Sequence, residues 1–293
     1  MVDVALELRE RLGVPSSKTP TFFEIVRKTL DRGYADIKGE RDEKIKARLH
    51  RLREQFSDVL ASGGPHYFDP VTRFAYVYKY AFAHADYLDG IIKRSRSIQE
   101  VLNRDKVSIT CVGGGPGSDV LGFLKFFLER GDSPHIKYRI LDKEPAWEET
   151  WSDLDDIVTG SLRPSRTFRT FDITEPSTYA TSFNWVFESD IFTMIYFLSE
   201  VFVHKEAVTK FLDTCFTRMK RGARFIVIDF NNPALQNLID QCAAAGGLGG
   251  SGGMTWLCMD SSEQKSELKF YTDKFGIEPK IKSHVVYRLF RKL

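Results

Sequence analysis

A glycine-rich loop at 113–117 is the strongest chemical signal in the sequence. The surrounding stretch reads CVGGGPGSDVLGF, directly after the apolar run VSITCV and directly before the amphipathic run SDVLGFLKFFLERG. Glycines at such a junction let the backbone turn tightly and approach a ligand, and the N-terminus of the following helix offers unpaired N–H groups. The loop therefore predicts a nucleotide-type ligand, with the acid Asp119 beside it.

Two further acids end the next two predicted strands. Asp142 closes IKYRILD, 27 residues beyond Gly115, a spacing that suits an acid on a ribose diol. Asp172 closes the third strand in FRTFDIT. Asp119 separates two ligand classes, because an acid at the loop repels a diphosphate but attracts the ammonium of a methionine moiety; its alternative role is to cap the helix. A Walker-type loop is excluded, since no Lys-Ser/Thr pair follows the glycines.

The elements that position these acids follow an α/β pattern. Residues 1–104 are predicted to form a helical N-terminal region. In 105–293, short β-branched and aromatic runs alternate with amphipathic runs, which predicts a parallel sheet with helices on both faces. The last run, HVVYRLFRK, is expected to pair antiparallel at the sheet edge. Six glycines within 246–253 do not fit the alternation and predict a flexible tether.

From residue 105 onward the sequence resembles the class I S-adenosylmethionine-dependent methyltransferases. The resemblance rests on VGGGPGSD, LDKEP, FDIT, DIFTMIYFLSEVF and KRGARFIVIDFNN, which accompany five successive predicted strands. It implies a Rossmann-like seven-stranded sheet, S-adenosylmethionine as cofactor, and methyl transfer as the activity. The cofactor contacts that it implies are Gly113, Gly114, Gly115, Pro116, Gly117, Asp119, Asp142, Lys143, Asp172, Ile173 and Phe197. In this set the loop lines the methionine part, Asp142 binds the ribose hydroxyls, and Asp172 with Ile173 meets the adenine edge.

The helix before the first strand adds aromatic candidates. Tyr76, Tyr80 and His84 recur at intervals of four and therefore share one helical face. In the methyltransferases this helix often lies across the cofactor, which makes Tyr76 and Tyr80 candidate contacts to the cofactor or acceptor, and His84 a candidate base. The alternative is an aromatic face that packs on the sheet.

Missing motifs limit the acceptor. The Asp/Asn-Pro-Pro-aromatic turn that holds an exocyclic base amine does not follow the fourth strand, where the chain reads YFLSE. No cysteine is placed for carbon-5 methylation of a pyrimidine. Glu200 is the first candidate to orient the acceptor or remove a proton, with a cap for the helix at Val201 as its alternative role. Asp229, at the end of the fifth strand, is the second candidate.

Three functions follow from these observations. A short similarity of DIFTMIYFLSEVF to ribosomal RNA base methyltransferases favours an RNA base as acceptor, and the basic segment 38–54 supports it, with seven Lys or Arg against four acids. A small-molecule N- or O-methyltransferase is the alternative, and a closed pocket under residues 66–90 would favour it. A non-catalytic sensor or scaffold that binds the cofactor is the third, because no acceptor motif is recognisable.

Composition constrains location and metal binding. The 293 residues carry a formal net charge of +2, which neither requires nor excludes a polyanionic partner and does not set the oligomeric state. No apolar stretch approaches the roughly 18 residues of a membrane span, and the N-terminus is too charged for a signal peptide. We therefore expect a cytoplasmic or nuclear protein without membrane association. The four cysteines are far apart, without CxxC, so no metal site is expected.

Overall fold

The computed structural model describes residues 21–131, 134–158, 165–179, 184–258 and 261–293. The helices before the first strand are α1 (Phe22–Asp36), α2 (Arg41–Ser57), α3 (Val59–Ser62), α4 (Pro70–Tyr76), α5 (Phe82–Arg94) and α6 (Arg96–Leu102), with a π-helical turn, Val77–Ala81, between α4 and α5. The predicted helical N-terminal region is confirmed over its described part, while residues 1–20 of it lie outside the described residues.

Strands and helices alternate in the rest of the chain. The elements are β1 (Lys106–Val112), α7 (Ser118–Arg130), β2 (His135–Asp142), α8 (Trp147–Ile157), β3 (Ser165–Thr170), α9 (Asn184–Phe187), β4 (Ile191–Ile195), α10 (Leu198–Val201), α11 (Lys205–Arg218), β5 (Arg224–Phe230), α12 (Pro233–Ala245), β6 (Leu248–Cys258), α13 (Ser261–Phe275) and β7 (Lys282–Lys292). Each of the five predicted strands from β1 to β5 is present, which confirms the α/β pattern.

The seven strands form one sheet in the order β3-β2-β1-β4-β5-β7-β6. Strands β1 to β5 are parallel, and β7 pairs antiparallel with β5. The strand order reverses between β1 and β4, which is the place where open α/β sheets bind ligands, at the carboxyl ends of the strands. The glycine loop at 113–117 follows β1 at this point.

Local capping sets where two of the helices begin. The Thr21 hydroxyl accepts a hydrogen bond from the Glu24 N–H at 3.2 Å, and the Glu24 carboxylate accepts one from the Thr21 N–H at 2.7 Å, a capping box that starts α1. At the other end of the chain, Asn232 Oδ1 accepts from the Ala234 N–H at 2.8 Å and Pro233 opens α12. The Asn-Pro pair after β5 is therefore a helix start.

Two hydrophobic clusters pack on the two faces of the sheet. Helices α1, α2, α4 to α8 and α13 contribute to one cluster, and α9 to α12 contribute to the other, against which Leu60 of α3 also packs. The N-terminal helices thus share a core with the sheet, so they are fixed over its carboxyl edge. In the described ranges, no helix combines the length and the apolar character needed to cross a membrane.

The glycine-rich segment is a strand, which corrects the prediction of a flexible tether. Strand β6 pairs with β7 along its whole length, from Leu248 opposite Lys292 to Cys258 opposite Lys282, and β6 rather than β7 occupies the sheet edge. A Cβ atom at Gly250 would lie 2.4 Å from the Phe290 ring. The glycines let large β7 side chains lie across the β6 backbone, and composition alone does not show this requirement.

Candidate functional site

The carboxyl ends of four strands meet at one edge of the sheet. Gly113 follows β1, Asp142 ends β2, Tyr196 follows β4, and Asp229 lies at the end of β5. Asp142 and Asp229 are buried there, as is Asp119 in the first turn of α7. The topology therefore gathers residues that the sequence separates by more than a hundred positions.

The glycine loop folds back onto the end of β2. The N–H groups of Gly113 and Gly114 donate to the Leu141 carbonyl at 2.8 and 3.1 Å. The Gly115 N–H donates to Asp142 Oδ2, and the Glu144 N–H donates to Oδ1, both at 2.9 Å. Each carboxylate oxygen has two lone pairs, so each keeps one for a further donor. Asp142 is thus oriented by the backbone and still able to accept hydroxyl hydrogen bonds.

Aromatic rings cover the loop. The Trp151 indole N–H donates to the Gly115 carbonyl at 2.9 Å, and a Cβ at Gly115 would lie 2.9 Å from the Trp147 indole nitrogen. The Phe197 ring lies against Gly113. Sequence reasoning did not select the two tryptophans, although their spacing of four in WEETW puts both on one face of α8. The glycines therefore make room for rings of the protein itself.

Four acids at this edge have raised pKa values. Burial raises the pKa of Asp119 to about 7 and that of Glu200 to about 8, and the charge of Asp142 contributes to both shifts. Burial also raises the pKa of Asp142 and of Asp229 to about 6, against the opposing effect of backbone N–H donors. Across the described ranges, none of the four forms an ion pair, although Lys143 lowers the pKa of Asp142 and Glu200 slightly. A cation bound at this edge would favour the ionised forms of these acids.

Glu200 lies inside α10 and does not cap it. The Tyr67 hydroxyl donates to its carboxylate oxygens at 3.0 and 3.2 Å, and the Gly64 N–H donates to its carbonyl at 3.0 Å. Asp229 caps an N–H group of α10 instead, since its Oδ2 accepts a hydrogen bond from the Ser199 N–H at 3.0 Å. The stretch between α3 and α4 therefore closes over Glu200. Tyr67 was not selected from the sequence, where only the glycine pair of SGGPHY marks this segment.

Asp119 has a partner on β4. Its Oδ2 accepts a hydrogen bond from the Thr193 hydroxyl, and the side chain is only 3% exposed. The cap of α7 falls on Gly117, without a side-chain hydrogen bond. Gly117 is therefore the N-cap residue, although the carboxylate of Asp119 also interacts with its own backbone N–H in the first turn. The contact of Asp119 with an ammonium stays a prediction.

Two cavities lie on either side of residues 197–200. The first, which we call the adenosine-side cavity, has a volume of about 160 Å³ and is lined among others by Lys143, Asp172, Ile173, Phe197 and Glu200. The second, the aromatic cavity, has a volume of about 200 Å³ and is lined by Phe56, Val59, Tyr76, Tyr80, His84, Tyr196, Ser199, Phe230 and Lys280. The first cavity thus brings together one group of predicted residues, and Tyr76, Tyr80 and His84 form a second group in the aromatic cavity. The residues of the glycine loop, Asp119, Asp142 and Asp229 line neither cavity.

The predicted aromatic face of the upstream helix turns toward the aromatic cavity. Tyr76 is buried against Tyr67 and Trp147, with ring centroids 5.1 and 6.1 Å away, while Tyr80 is half-buried at the cavity wall. The π-helical turn lies between Tyr76 and His84. Such turns are frequent at functional sites. In the described ranges, no group of three or more His, Cys, Asp or Glu has an arrangement that holds a metal ion.

Comparison with known proteins identifies the fold. No protein-family model and no curated protein matches the sequence. The structure of an O-methyltransferase family protein from Burkholderia thailandensis superposes with a TM-score of 0.50 at 10% identity, covering 86% of this chain and 71% of that one. A SAM-dependent methyltransferase from Methanosarcina mazei gives a TM-score of 0.43 at 10% identity, over 68% and 98% of the two chains. The first similarity confirms the predicted Rossmann-like seven-stranded methyltransferase fold.

Proposed function

We propose that this chain, which has the class I methyltransferase fold, is an S-adenosylmethionine-dependent methyltransferase. The observation that supports the proposal most is the cluster of four acids without an ion-pair partner at the strand ends. S-adenosylmethionine carries a sulfonium and an ammonium group, and it supplies an electrophilic methyl group when bound. A dinucleotide is disfavoured at the same place, because ionised Asp119 and Asp142 repel a pyrophosphate.

The proposed contacts follow from the free hydrogen-bonding capacity of each side chain. Asp142 accepts from the ribose hydroxyls with the lone pairs that Gly115 and Glu144 leave unused. Asp119 faces the ammonium with the oxygen that Thr193 does not occupy. Asp172, whose Oδ1 accepts from the Thr174 N–H at 2.8 Å, borders the adenosine-side cavity.

Phe197 is the side chain that has to move. Each of the two cavities is smaller than the roughly 300 to 1,000 Å³ of ordinary ligand pockets. The Phe197 ring lines the adenosine-side cavity and also covers Gly113. We propose that rotation of this ring opens the methionine site between the cavities. The methyl group then faces the aromatic cavity across Ser199 and Glu200.

The aromatic cavity favours a small-molecule acceptor. It lies under residues 66–90, with Tyr76, Tyr80 and His84 in its wall, and it is lined by side chains from both the helical region and the sheet. An RNA base remains the second candidate. The observation in its favour is that Phe56, in the wall, belongs to helix α2, whose Arg51 and Arg53 are exposed. A flipped base would enter the same cavity.

Proton release on ligand binding tests whether S-adenosylmethionine is the cofactor. We expect S-adenosylmethionine to bind about tenfold or more weakly at pH 6 than at pH 8, because a bound cation favours the ionised form of acids whose pKa lies at about 6 to 8. Affinity rises with pH, since the carboxyls lose protons over this interval. Calorimetry in two buffers of different ionisation enthalpy should show net proton release.

S-adenosylhomocysteine is the matched control for that measurement, because it lacks the sulfonium charge. Its affinity should vary less between pH 6 and pH 8 than that of S-adenosylmethionine. If the affinities of the two ligands had the same pH dependence, the sulfonium group would not bind at the acid cluster. Absence of binding by both ligands would refute the proposed function.

A further inference from the structure

We propose that the aromatic cavity takes an acceptor with a planar ring and an anionic substituent, in which Lys280 binds the anion and His84 accepts the proton of the reacting group. This inference rests on the proposed function and specifies its acceptor class. It excludes neutral aliphatic acceptors, for which neither the stacked rings nor the unpaired ammonium would have a role.

The walls of the cavity are flat. The rings of His84 and Tyr196 stack with centroids 4.0 Å apart and planes inclined by 3°. The Tyr80 ring lies 6.0 Å from His84 at 27°, and Phe56 meets Tyr80 edge-on at 5.1 Å. Aromatic walls of this kind bind planar rings through stacking and edge contacts. Tyr196 also has a φ of 52°, the only positive value of a non-glycine residue in the described ranges, and such backbone strain clusters at active sites.

His84 is buried with no hydrogen-bond partner. Its side chain is 3% exposed and lines the cavity, and neither Nδ1 nor Nε2 has a partner in the structure. A buried polar group normally has a partner, so an unpaired imidazole facing a cavity indicates a ligand. Burial lowers the pKa of His84 well below its usual value, and Lys280 adds to this effect. The ring is therefore neutral at pH 7, with one nitrogen free to accept a proton.

Lys280 is a cation without a counter-ion. Its Nζ lies 5.2 Å from the Tyr196 ring centroid and 5.9 Å from that of Tyr80. This side-chain ammonium makes no hydrogen bond or ion pair with any described residue. Burial lowers the pKa of Lys280, Asp229 opposes this shift, and Lys79 adds to it. An ammonium held in this way is available for an anionic ligand.

Two further cations lie beside Lys280. The Lys280 N–H donates to the Lys79 carbonyl at 2.8 Å. Burial lowers the pKa of Lys79, and the charge of Arg53 adds to that shift. Burial raises the pKa of Tyr80 in the cavity wall, and the charge of Arg53 opposes this shift. Glu278 opposes the shift of Lys79, but the three cations outnumber this acid. The rim next to the apolar wall therefore keeps a net positive charge, which attracts an acid-bearing ring more than a neutral one.

The transfer step balances with these groups. A lone pair on a ring nitrogen or on a hydroxyl oxygen of the acceptor forms the new bond to the methyl carbon. The bond from that carbon to sulfur breaks, and its electron pair stays on sulfur. The proton of the attacking group passes to the neutral imidazole of His84 and then to water. Neither an oxidant nor a metal takes part in the step.

Binding of four probes tests the inference, measured by calorimetry with S-adenosylhomocysteine present. The probes are 4-hydroxybenzoate, 4-hydroxybenzamide, benzoate and uridine 5′-monophosphate. We expect 4-hydroxybenzoate to bind about tenfold more tightly than the neutral amide, since a hydrogen bond to a charged group contributes about 1.5 to 3 kcal/mol. Lys280→Met should abolish that difference, whereas Lys28→Met, which removes an exposed charge on α1, should leave it unchanged. Preferential binding of uridine 5′-monophosphate would identify a nucleotide as the source of the anionic ring.

His84→Phe keeps the stacked ring and removes the proton acceptor. We expect it to weaken 4-hydroxybenzoate about fivefold to tenfold while leaving benzoate unchanged, because only the former carries a hydroxyl group. If His84 had only a structural role, His84→Phe would change the affinities for 4-hydroxybenzoate and benzoate equally. Failure of all four probes to bind, or equal binding of the acid and the amide, would overturn the inference. A separate titration with S-adenosylmethionine distinguishes the two failures. Cofactor binding without probe binding overturns only this inference, whereas absence of cofactor binding refutes the proposed function.

Discussion

Asp142→Asn should weaken S-adenosylmethionine binding by about 100-fold or more at pH 8, because two hydrogen bonds to a carboxylate contribute about 1.5 to 3 kcal/mol each. At this pH the carboxyl is ionised, since its pKa is about 6. An asparagine side chain keeps the shape but turns one oxygen into a donor. In either orientation the NH2 group faces a backbone N–H donor, that of Gly115 or that of Glu144, and only one oxygen is left to accept from the ribose hydroxyls.

The fold should survive this substitution. Asp142 is buried with a raised pKa, so its charge costs free energy in the folded protein and the neutral amide removes that cost. Circular dichroism and thermal unfolding should therefore resemble the wild type. Asp105→Asn, at an exposed acid just before β1, is the control and should bind the cofactor normally. Unchanged affinity in Asp142→Asn would show that another residue binds the ribose.

Gly113→Ala should lower the free energy of unfolding by about 2 to 5 kcal/mol, from a left-handed backbone and an overpacked ring. Gly113 has a φ of 66°, and a Cβ there would lie 2.1 Å from Cγ and Cδ2 of Phe197. The ring has to shift before any side chain fits. Denaturant unfolding of the variant gives the free-energy change directly.

Gly131→Ala is the matched control for this effect. Gly131 has a φ of 78° at the end of α7, but a Cβ there would meet nothing within 4 Å. It should therefore lose only about 1 to 2 kcal/mol, the cost of the backbone conformation alone. Adding Phe197→Ala to Gly113→Ala should recover part of the larger loss. Equal losses at Gly113 and Gly131 would contradict close packing of Phe197 on the loop.

The sequence was sufficient for much of the fold, because the evidence for it is local. Strand runs, the loop at 113–117 and the Asn232 cap depend on neighbouring residues and on hydrophobic periodicity. The segment 246–253 was misjudged, since pairing with β7 is a long-range contact and overrides the low strand propensity of glycine. The same limit applies to the position of β7, which lies inside the sheet rather than at its edge.

The site was predictable where a strand end or a regular helical spacing supplies the residue, as the spacing of four does for Tyr76, Tyr80 and His84. Asp142 ends β2, Asp172 lies two residues after β3 and Glu200 lies five residues after β4, so the topology of a parallel sheet places them at one edge.

Tyr67 was missed because it reaches Glu200 from a loop 133 residues away in the sequence. Lys280 was missed because it also lies in a loop, 50 residues beyond Phe230, the cavity residue nearest to it in the sequence. Tertiary packing sets these contacts, and neither spacing nor composition reveals them.

The most direct test of the central claim is transfer of labelled methyl from S-adenosylmethionine into total RNA and small-metabolite extracts of the source cell, with Asp142→Asn as the blank. We expect label in the small-metabolite fraction that disappears with the variant. Label in RNA alone would support methyltransferase activity and would identify an RNA base, not a small molecule, as the acceptor. No label in either fraction, with cofactor binding intact, would contradict the claim and indicate a non-catalytic sensor or scaffold.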